Sequence, residues 1–277
     1  IREYYKNFDE DNRLNNDNSG KLEYEMTMKS LNKYLPKTGV ILDLGGATGV
    51  YSFPLAQKGY KVYLADLSPK LIEQAKDKVE NKKENNIVSC DVVNAINLSI
   101  YNDEQFDAVL LFGPLYHLLD KNEREQCVKE VNRVLKTGGI VFASFIPYLS
   151  GSIAIVDRFF RHPEQVNVEN LRATFNFGKF NNLDNNGFQE GYYPTSTEIE
   201  ELFEENNFEK ITTFSIRGFG YEKEDELYKI QDKEMFEEII NLIEKSSECK
   251  EIIETCGHAM FLSLIHISEP TRLALMS

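Results

Sequence analysis

The chain has 277 residues, 42% hydrophobic and 27% charged, enough for one large core with a cap. Its formal net charge of −14 opposes nonspecific attraction to nucleic acid or an anionic membrane, because no basic field exists to displace counterions. No run of about 18 apolar residues predicts a membrane span and no signal peptide is visible. Cys90, Cys127, Cys249 and Cys256 lack Cys-x-x-Cys spacing and the four histidines are isolated, so free thiols, no metal site and a cytoplasmic location are expected.

Residues 1–37 read as helical, with Met26, Met28, Leu31, Tyr34 and Leu35 at partial helical spacing and Pro36 as the stop. Val40–Leu44 is the first strand. Asp43-Leu44-Gly45-Gly46-Ala47-Thr48-Gly49 then turns through small residues into a helix expected to reach Lys58. Such a loop lets a ligand approach the backbone closely, and the helix start offers free N–H groups. The spacing is acid-x-Gly-x-Ala-x-Gly, followed by Val50, Tyr51 and Ser52, so the Gly-x-Gly-x-x-Gly of a dinucleotide site is not met.

The second strand, 61–65, ends at Asp66, followed by Leu67. Ser68-Pro69 opens the next helix as N-cap and first helical residue, and Leu71, Ile72, Ala75 and Val79 give it an apolar face. Asp66 lies about twenty residues beyond the glycine loop, where an acid accepts hydrogen bonds from ribose hydroxyls. A short third strand, 87–90, is closed by Asp91. The near-continuous apolar run 106–112, ending in Phe112, suits a central parallel strand buried on both faces. Asp120 and Glu123 start a helix that turns Cys127, Val128, Val131 and Leu135 inward and is expected to stop at Thr137-Gly138-Gly139. Strand five follows over 140–146.

The alternation breaks at 149–194, a stretch rich in Asn, Phe and Gly that holds one or two helices, such as one over 153–161. It is expected to be a cap over the C-terminal edge of the sheet. Thr195-x-x-Glu198 restarts a helix, 209–219 is strand six, a helix follows near 233–245, and 258–262 is strand seven. The order predicts an α/β fold, a doubly wound, seven-stranded, mostly parallel Rossmann-like sheet with an inserted cap, binding ligands at its C-terminal strand edge.

Several of these stretches carry a resemblance to the class I S-adenosylmethionine-dependent methyltransferases. Asp43–Gly49 resembles their cofactor loop (Asp43, Gly45, Gly46 and Gly49), with Ala47 where the middle glycine usually stands. Asp66, followed by Leu67, resembles the ribose-binding acid, and Asp91-Val92 the pair that holds the adenine. Gly113-Pro114-Leu115-Tyr116-His117-Leu118 resembles a motif after strand four in a bacterial, small-molecule branch, and Arg133-Val134-Leu135-Lys136-Thr137-Gly138-Gly139 the turn into strand five. Tyr4-Tyr5-x-x-Phe8-x-Glu10-x-x-Arg13-Leu14 resembles an opening segment that folds over the cofactor, where Tyr5 or Arg13 would meet the methionine carboxylate or serve only as a packing anchor.

The resemblance implies a single domain over 1–262 that takes S-adenosylmethionine, uses no metal, and methylates a small-molecule acceptor, with neither nucleic acid nor membrane as partner. His117 is the first candidate for a general base, since imidazole titrates near neutrality; Tyr116 is the second, then Tyr192 and Tyr193. The alternative for His117 is packing against the adenosyl group or capping the following helix. An NAD(P)-dependent reductase and a non-catalytic cofactor-binding module are the competing functions. Finally, Leu262-Ser263-Leu264-Ile265-His266-Ile267-Ser268-Glu269-Pro270-Thr271-Arg272 resembles an in-frame translation of a sequencing adapter, so 263–277 is expected to lie outside the fold.

Overall fold

A computed structural model of the chain describes residues 17–182 and 190–265. Tyr5 and Arg13 lie outside them. The first helix, α1 (Asn18–Tyr34), starts where the Asp17 side chain accepts from the Gly20 N–H at 2.7 Å, and it buries Leu22, Met26 and Leu31. β1 (Val40–Leu44), α2 (Ser52–Gln57) and β2 (Lys61–Asp66) follow. α3 (Pro69–Lys82) opens on Ser68 as N-cap with proline in its first turn, as its sequence predicts. β3 (Ile87–Val92) takes in Asp91 and Val92, two residues beyond the expected end. β4 (Phe106–Leu111) is buried along its whole length except at Asp107.

After the single turn α4 (Pro114–His117), α5 (Lys121–Val134) is capped by Asp120. Here the expected helix stop at Thr137-Gly138-Gly139 is wrong. Leu135 is already extended (φ −76°, ψ 139°), and β5 runs Leu135–Phe145. Leu135 pairs with Phe106 and Ile140 with Ala108, so the ladder shifts register between them. Gly138, at φ +77°, absorbs that irregularity within the strand.

The insertion folds as α6 (Tyr148–Arg161), α7 (Val168–Phe177) and a two-stranded ribbon, β6 (Lys179–Asn181) and β7 (Glu190–Tyr192). A reciprocal cap between Asn167 and Asn170 starts α7, and the predicted Thr195/Glu198 cap starts α8 (Ser196–Glu204). β8 (Phe208–Ser215) ends four residues before the expected 219. The Gly218 N–H donates to Ser215 Oγ at 2.9 Å, and Gly218 sits at φ +51°, which turns the chain away. α9 (Glu224–Leu227), α10 (Lys233–Ser246), α11 (Lys250–Thr255) and β9 (Ala259–Ile265) complete the described chain.

The main sheet has seven strands in the order β3-β2-β1-β4-β5-β9-β8, parallel except for β9, which runs antiparallel to both neighbours. Each face carries a core. One joins Leu22, Leu31, Ile41, Leu64 and Ile243; the other joins Leu42, Val109, Val128, Phe203 and Phe261. The boundary expected at Leu262 falls short. Ser263 is fully buried between Val141 and Lys210, and Ile265 still pairs with Phe208, because β9 is flanked on both sides. Among the described residues, no helix is long and apolar enough to cross a membrane.

Candidate active site

The sheet order reverses between β1 and β4, so their C-terminal ends open a crevice where ligands bind in doubly wound folds. The glycine loop fills its mouth. Gly45 takes φ +86° and donates its N–H to the Ala65 carbonyl at 2.8 Å; a Cβ there would lie 2.6 Å from the Phe112 carbonyl oxygen. Gly46 donates to the same carbonyl at 3.1 Å, and a Cβ on it would lie 2.7 Å from Asp43 Cγ. Ala47 occupies the left-handed region at φ +49°, which explains the usual glycine there: a side chain costs roughly 1–2 kcal/mol in that conformation. The strain is held by its N–H, which donates to Asp66 Oδ2 at 3.0 Å. Gly49 lies behind the wall, against Leu64 and Phe53.

Asp66 is thereby tied to the loop, and the Ser68 N–H donates to its other oxygen at 2.8 Å. Burial raises its pKa, while these backbone donors pull the other way. Both carboxylate oxygens keep a lone pair for a ligand, and Asp66 and Leu67 line the cavity.

Asp43 is fully buried. Burial pushes its carboxyl up to about 6, with the Asp66 charge adding to the rise and the Ser52 hydroxyl, 2.7 Å from Oδ2, opposing it. Asp43 Oδ1 and Thr27 Oγ1, both at the cavity wall, find no hydrogen-bond partner among the described residues. Buried polar atoms left in this way call for a ligand with donors, ideally a cation. A methionine-bearing sulfonium cofactor with its ammonium and ribose hydroxyls fits that demand, and Gly45 and Gly46 line the cavity with backbone alone.

Asp91 and Val92 are placed differently from the expectation. The Asp91 carboxylate accepts from the Ser89 and Tyr101 hydroxyls, and Val92 is exposed to solvent. The wall at this point is made by Val93, Asn94 and Ala95, because β3 runs two residues further before the chain turns.

The cavity measures about 410 Å³. Its far wall comes from the cap: Gly151, Ile155 and Arg158 of α6, then Phe180 and Tyr193. Phe112, Tyr116 and His117 line it from the end of β4 and α4. His117 is half-buried, and desolvation drives its imidazole down to about 4, so it stands neutral and weakly basic at neutral pH. Tyr192 is outside the cavity; it donates to Glu198 at 2.9 Å beneath the Arg124 guanidinium, and its phenol rises to about 12, chiefly by burial. Burial raises the Tyr193 phenol as well.

Two residues that sequence reasoning missed complete the wall. His258 immediately precedes β9. Because β9 is antiparallel, its start meets the end of β5, with Ala259 opposite Phe145, and so His258 joins the ligand edge. Its Nδ1 lies 2.9 Å from Glu23 Oε2 of α1, and the Tyr116 ring stacks on it at 5.9 Å and 19°. Only the reversed direction of the last strand could have pointed to this histidine from the sequence. Among the described residues no group of three His, Cys, Asp or Glu side chains is arranged to hold a metal ion.

The fold is the Rossmann-like fold found in S-adenosylmethionine-dependent methyltransferases of known structure. Residues 42–143 match the family model described as a methyltransferase domain. YqeM of Bacillus subtilis, which carries a provisional methyltransferase name, is 35% identical over 119 residues, covering 43% of this chain and 47% of its own; the chain thus spans about half of that relative. The glycine/sarcosine N-methyltransferase of Parasynechococcus marenigrum is 26% identical over 209 residues, 70% of this chain and 71% of that one. Among solved structures, a SAM-dependent methyltransferase of Methanosarcina mazei superposes with a TM-score of 0.60 at 19% identity, over 86% of this chain and 98% of that chain.

Proposed function

We propose that the chain transfers the methyl group of S-adenosylmethionine to a small molecule held under the cap. One observation carries the reading. The glycine loop and Asp66 are locked together by the Ala47–Asp66 hydrogen bond at the mouth of a cavity whose lining includes Asp43 and Thr27, each with a buried oxygen that finds no partner among the described residues. The cofactor would supply an electrophilic methyl on a sulfonium. Asp66 would hold the ribose, and the Gly45–Gly46 backbone with Asp43 the methionine portion. Val93, Asn94 and Ala95 would border the adenine. Ile155, Phe180 and Tyr193 exclude water from the acceptor side, which favours alignment and displacement.

The volume supports a small acceptor, since pockets for such ligands span roughly 300–1,000 Å³. The glycine/sarcosine relative, whose name records a small amine acceptor, supports the same class. The His117 role narrows: with its imidazole driven down to about 4, packing beside the ligand suits it better than proton abstraction.

Titration calorimetry with S-adenosylmethionine and NAD tests the cofactor. The first should bind and the second should not. Asp66→Ala should weaken binding by about 2–3 kcal/mol, for loss of charge-assisted ribose bonds. Tight NAD binding without a S-adenosylmethionine signal would remove the reading.

A further inference from the structure

We propose that His258, oriented by Glu23, is the base that ionises the acceptor, and that the acceptor is a weakly acidic hydroxyl compound, a phenol or an enol. This rests on the methyl-transfer reading and adds the nucleophile to it. His258 stands on the cavity wall just before β9, next to Ala259, which pairs with Phe145; Met260, which pairs with Ser144, lines the same wall. A carboxylate only accepts, so the 2.9 Å contact with Glu23 puts a proton on Nδ1, and in the neutral imidazole the lone pair is then on Nε2. The ring is further held by Tyr116, which stacks on its face, and the backbone by the Ile216 N–H, which donates to the His258 carbonyl at 2.9 Å. The histidine side chain keeps 24% exposure where Glu23 keeps 11%, so the carboxylate is shielded and the imidazole is open to a ligand.

Among the described residues, the charged and titratable groups around it come from several elements, with Arg158 of α6 on the same cavity wall. Glu23 belongs to α1, Tyr116 and His117 to α4. The Arg217–Glu224 pair, at 2.8 Å, lies beneath Gly257, next along the chain. None of the others competes as base: His117 and Tyr193 are disfavoured by burial, and Arg217 is held by Glu224.

A built carboxylate–imidazole pair has a use when the nucleophile arrives carrying a proton it must lose. An aromatic amine or a carboxylate brings its lone pair already free. Around His258 the wall is apolar, with Ile155, Phe180, Ile216 and Met260, which suits an aromatic or enolic body. The step balances. The acceptor O–H gives its proton to His258 Nε2, the oxygen bonds to the methyl carbon, and the carbon–sulfur bond breaks with its electron pair left on sulfur. The imidazolium, balanced by Glu23, then releases the proton to solvent.

The test uses the full chain, methyl-labelled S-adenosylmethionine and four probes at pH 8. These are 4-methylphenol, with a pKa of about 10 as for tyrosine; 4-nitrophenol, already ionised; 4-methylaniline; and benzoate. The wild-type chain should methylate both phenols. His258→Ala should lower kcat on 4-methylphenol by about 10²–10³-fold and on 4-nitrophenol by less than about tenfold, with added imidazole restoring part of the loss. His258→Gln keeps the bulk of the side chain and should repeat the pattern if the alanine variant folds poorly. Glu23→Gln, a positioning change, should fall between wild type and His258→Ala on 4-methylphenol and leave 4-nitrophenol unchanged. Cofactor affinity should stay within about threefold in all variants.

Equal losses on both phenols would overturn the base. Turnover of the aniline or benzoate but of neither phenol, or of no probe by a chain that binds the cofactor, would overturn the acceptor class. Loss of cofactor binding in Glu23→Gln would reassign Glu23 to the cofactor. Failure of the wild-type chain to bind S-adenosylmethionine at all would instead remove the methyl-transfer reading beneath the proposal.

Discussion

Replacing Asp43 by asparagine should make the protein more stable and its cofactor weaker. The carboxyl has an ordinary value of 3.8 and is pushed to about 6 in the folded chain, chiefly because it is fully buried. Between those two values the folded chain holds a proton that the unfolded chain has released. Stability from this group therefore rises as pH falls through 6 towards 4, and above 6 the buried charge is a constant cost. A rise of that size corresponds to roughly 3 kcal/mol at pH 7 and above. An asparagine carries no charge, and its carbonyl still accepts from the Ser52 hydroxyl, which now donates 2.7 Å to Asp43 Oδ2. Urea melts of wild type and Asp43→Asn at a series of pH values give the difference directly, with all other carboxylates cancelling. The variant should gain about 2–3 kcal/mol at pH 8 and close to nothing at pH 4. Calorimetry at pH 8 should show it binding S-adenosylmethionine at least tenfold more weakly, since the partnerless Oδ1 loses its charge. A variant no more stable than wild type at pH 8 would refute the argument that burial, and not function, sets the cost of this carboxylate.

Gly46→Ala would place a methyl 2.7 Å from Asp43 Cγ, inside a fully buried contact, so the loop must shift. Cofactor affinity should fall more than tenfold in calorimetry while the far-UV spectrum stays the same; unchanged affinity would mean the loop is not the cradle. Ending the chain at Leu262 should lower the melting temperature by several degrees relative to ending it at Ile265, because Ser263 and Leu264 pair with both β5 and β8. Equal melting temperatures would show those last pairings to be without weight.

The elements legible in the sequence are those whose signals are local. β1 has the predicted bounds, and Ser68-Pro69 and the Thr195/Glu198 pair start helices where they should. The glycine loop and Asp66 came together for the same reason: the strand–loop–helix–strand order fixes their distance. The errors arose where a local signal served a nonlocal need. Thr137-Gly138-Gly139 has the residues of a helix stop, but Gly138 spends its positive φ inside β5, where the ladder to β4 changes register. Asp91 is expected at the adenine because Asp91-Val92 resembles the pair that holds it; its carboxylate also accepts from the Tyr101 hydroxyl, ten residues on, a contact that no local signal announces. His258 and Glu23 are 235 residues apart, and no periodicity joins them. Only the antiparallel insertion of β9 between β5 and β8 brings the first to the edge where α1 already waits.

The cap has an interior of its own: Ile155, Val166, Phe180 and Tyr193, with Ile146 and Leu171 against them, form a cluster separate from the two cores of the sheet. Its two ends also meet, since the Tyr148 N–H donates to the Pro194 carbonyl at 2.8 Å. The chain therefore leaves and rejoins the body at one point, with further contacts where the Gly257 N–H donates to Ser150 Oγ at 3.0 Å and Arg124 covers Tyr192. Loop-closure entropy grows only slowly with length, so inserts of different size and sequence can hang from such a point at nearly equal cost. The half of the cavity that meets the glycine loop and Asp66 can then stay fixed through descent while the half under the cap is exchanged, and one scaffold can come to serve many acceptors by replacing one contiguous piece of its gene.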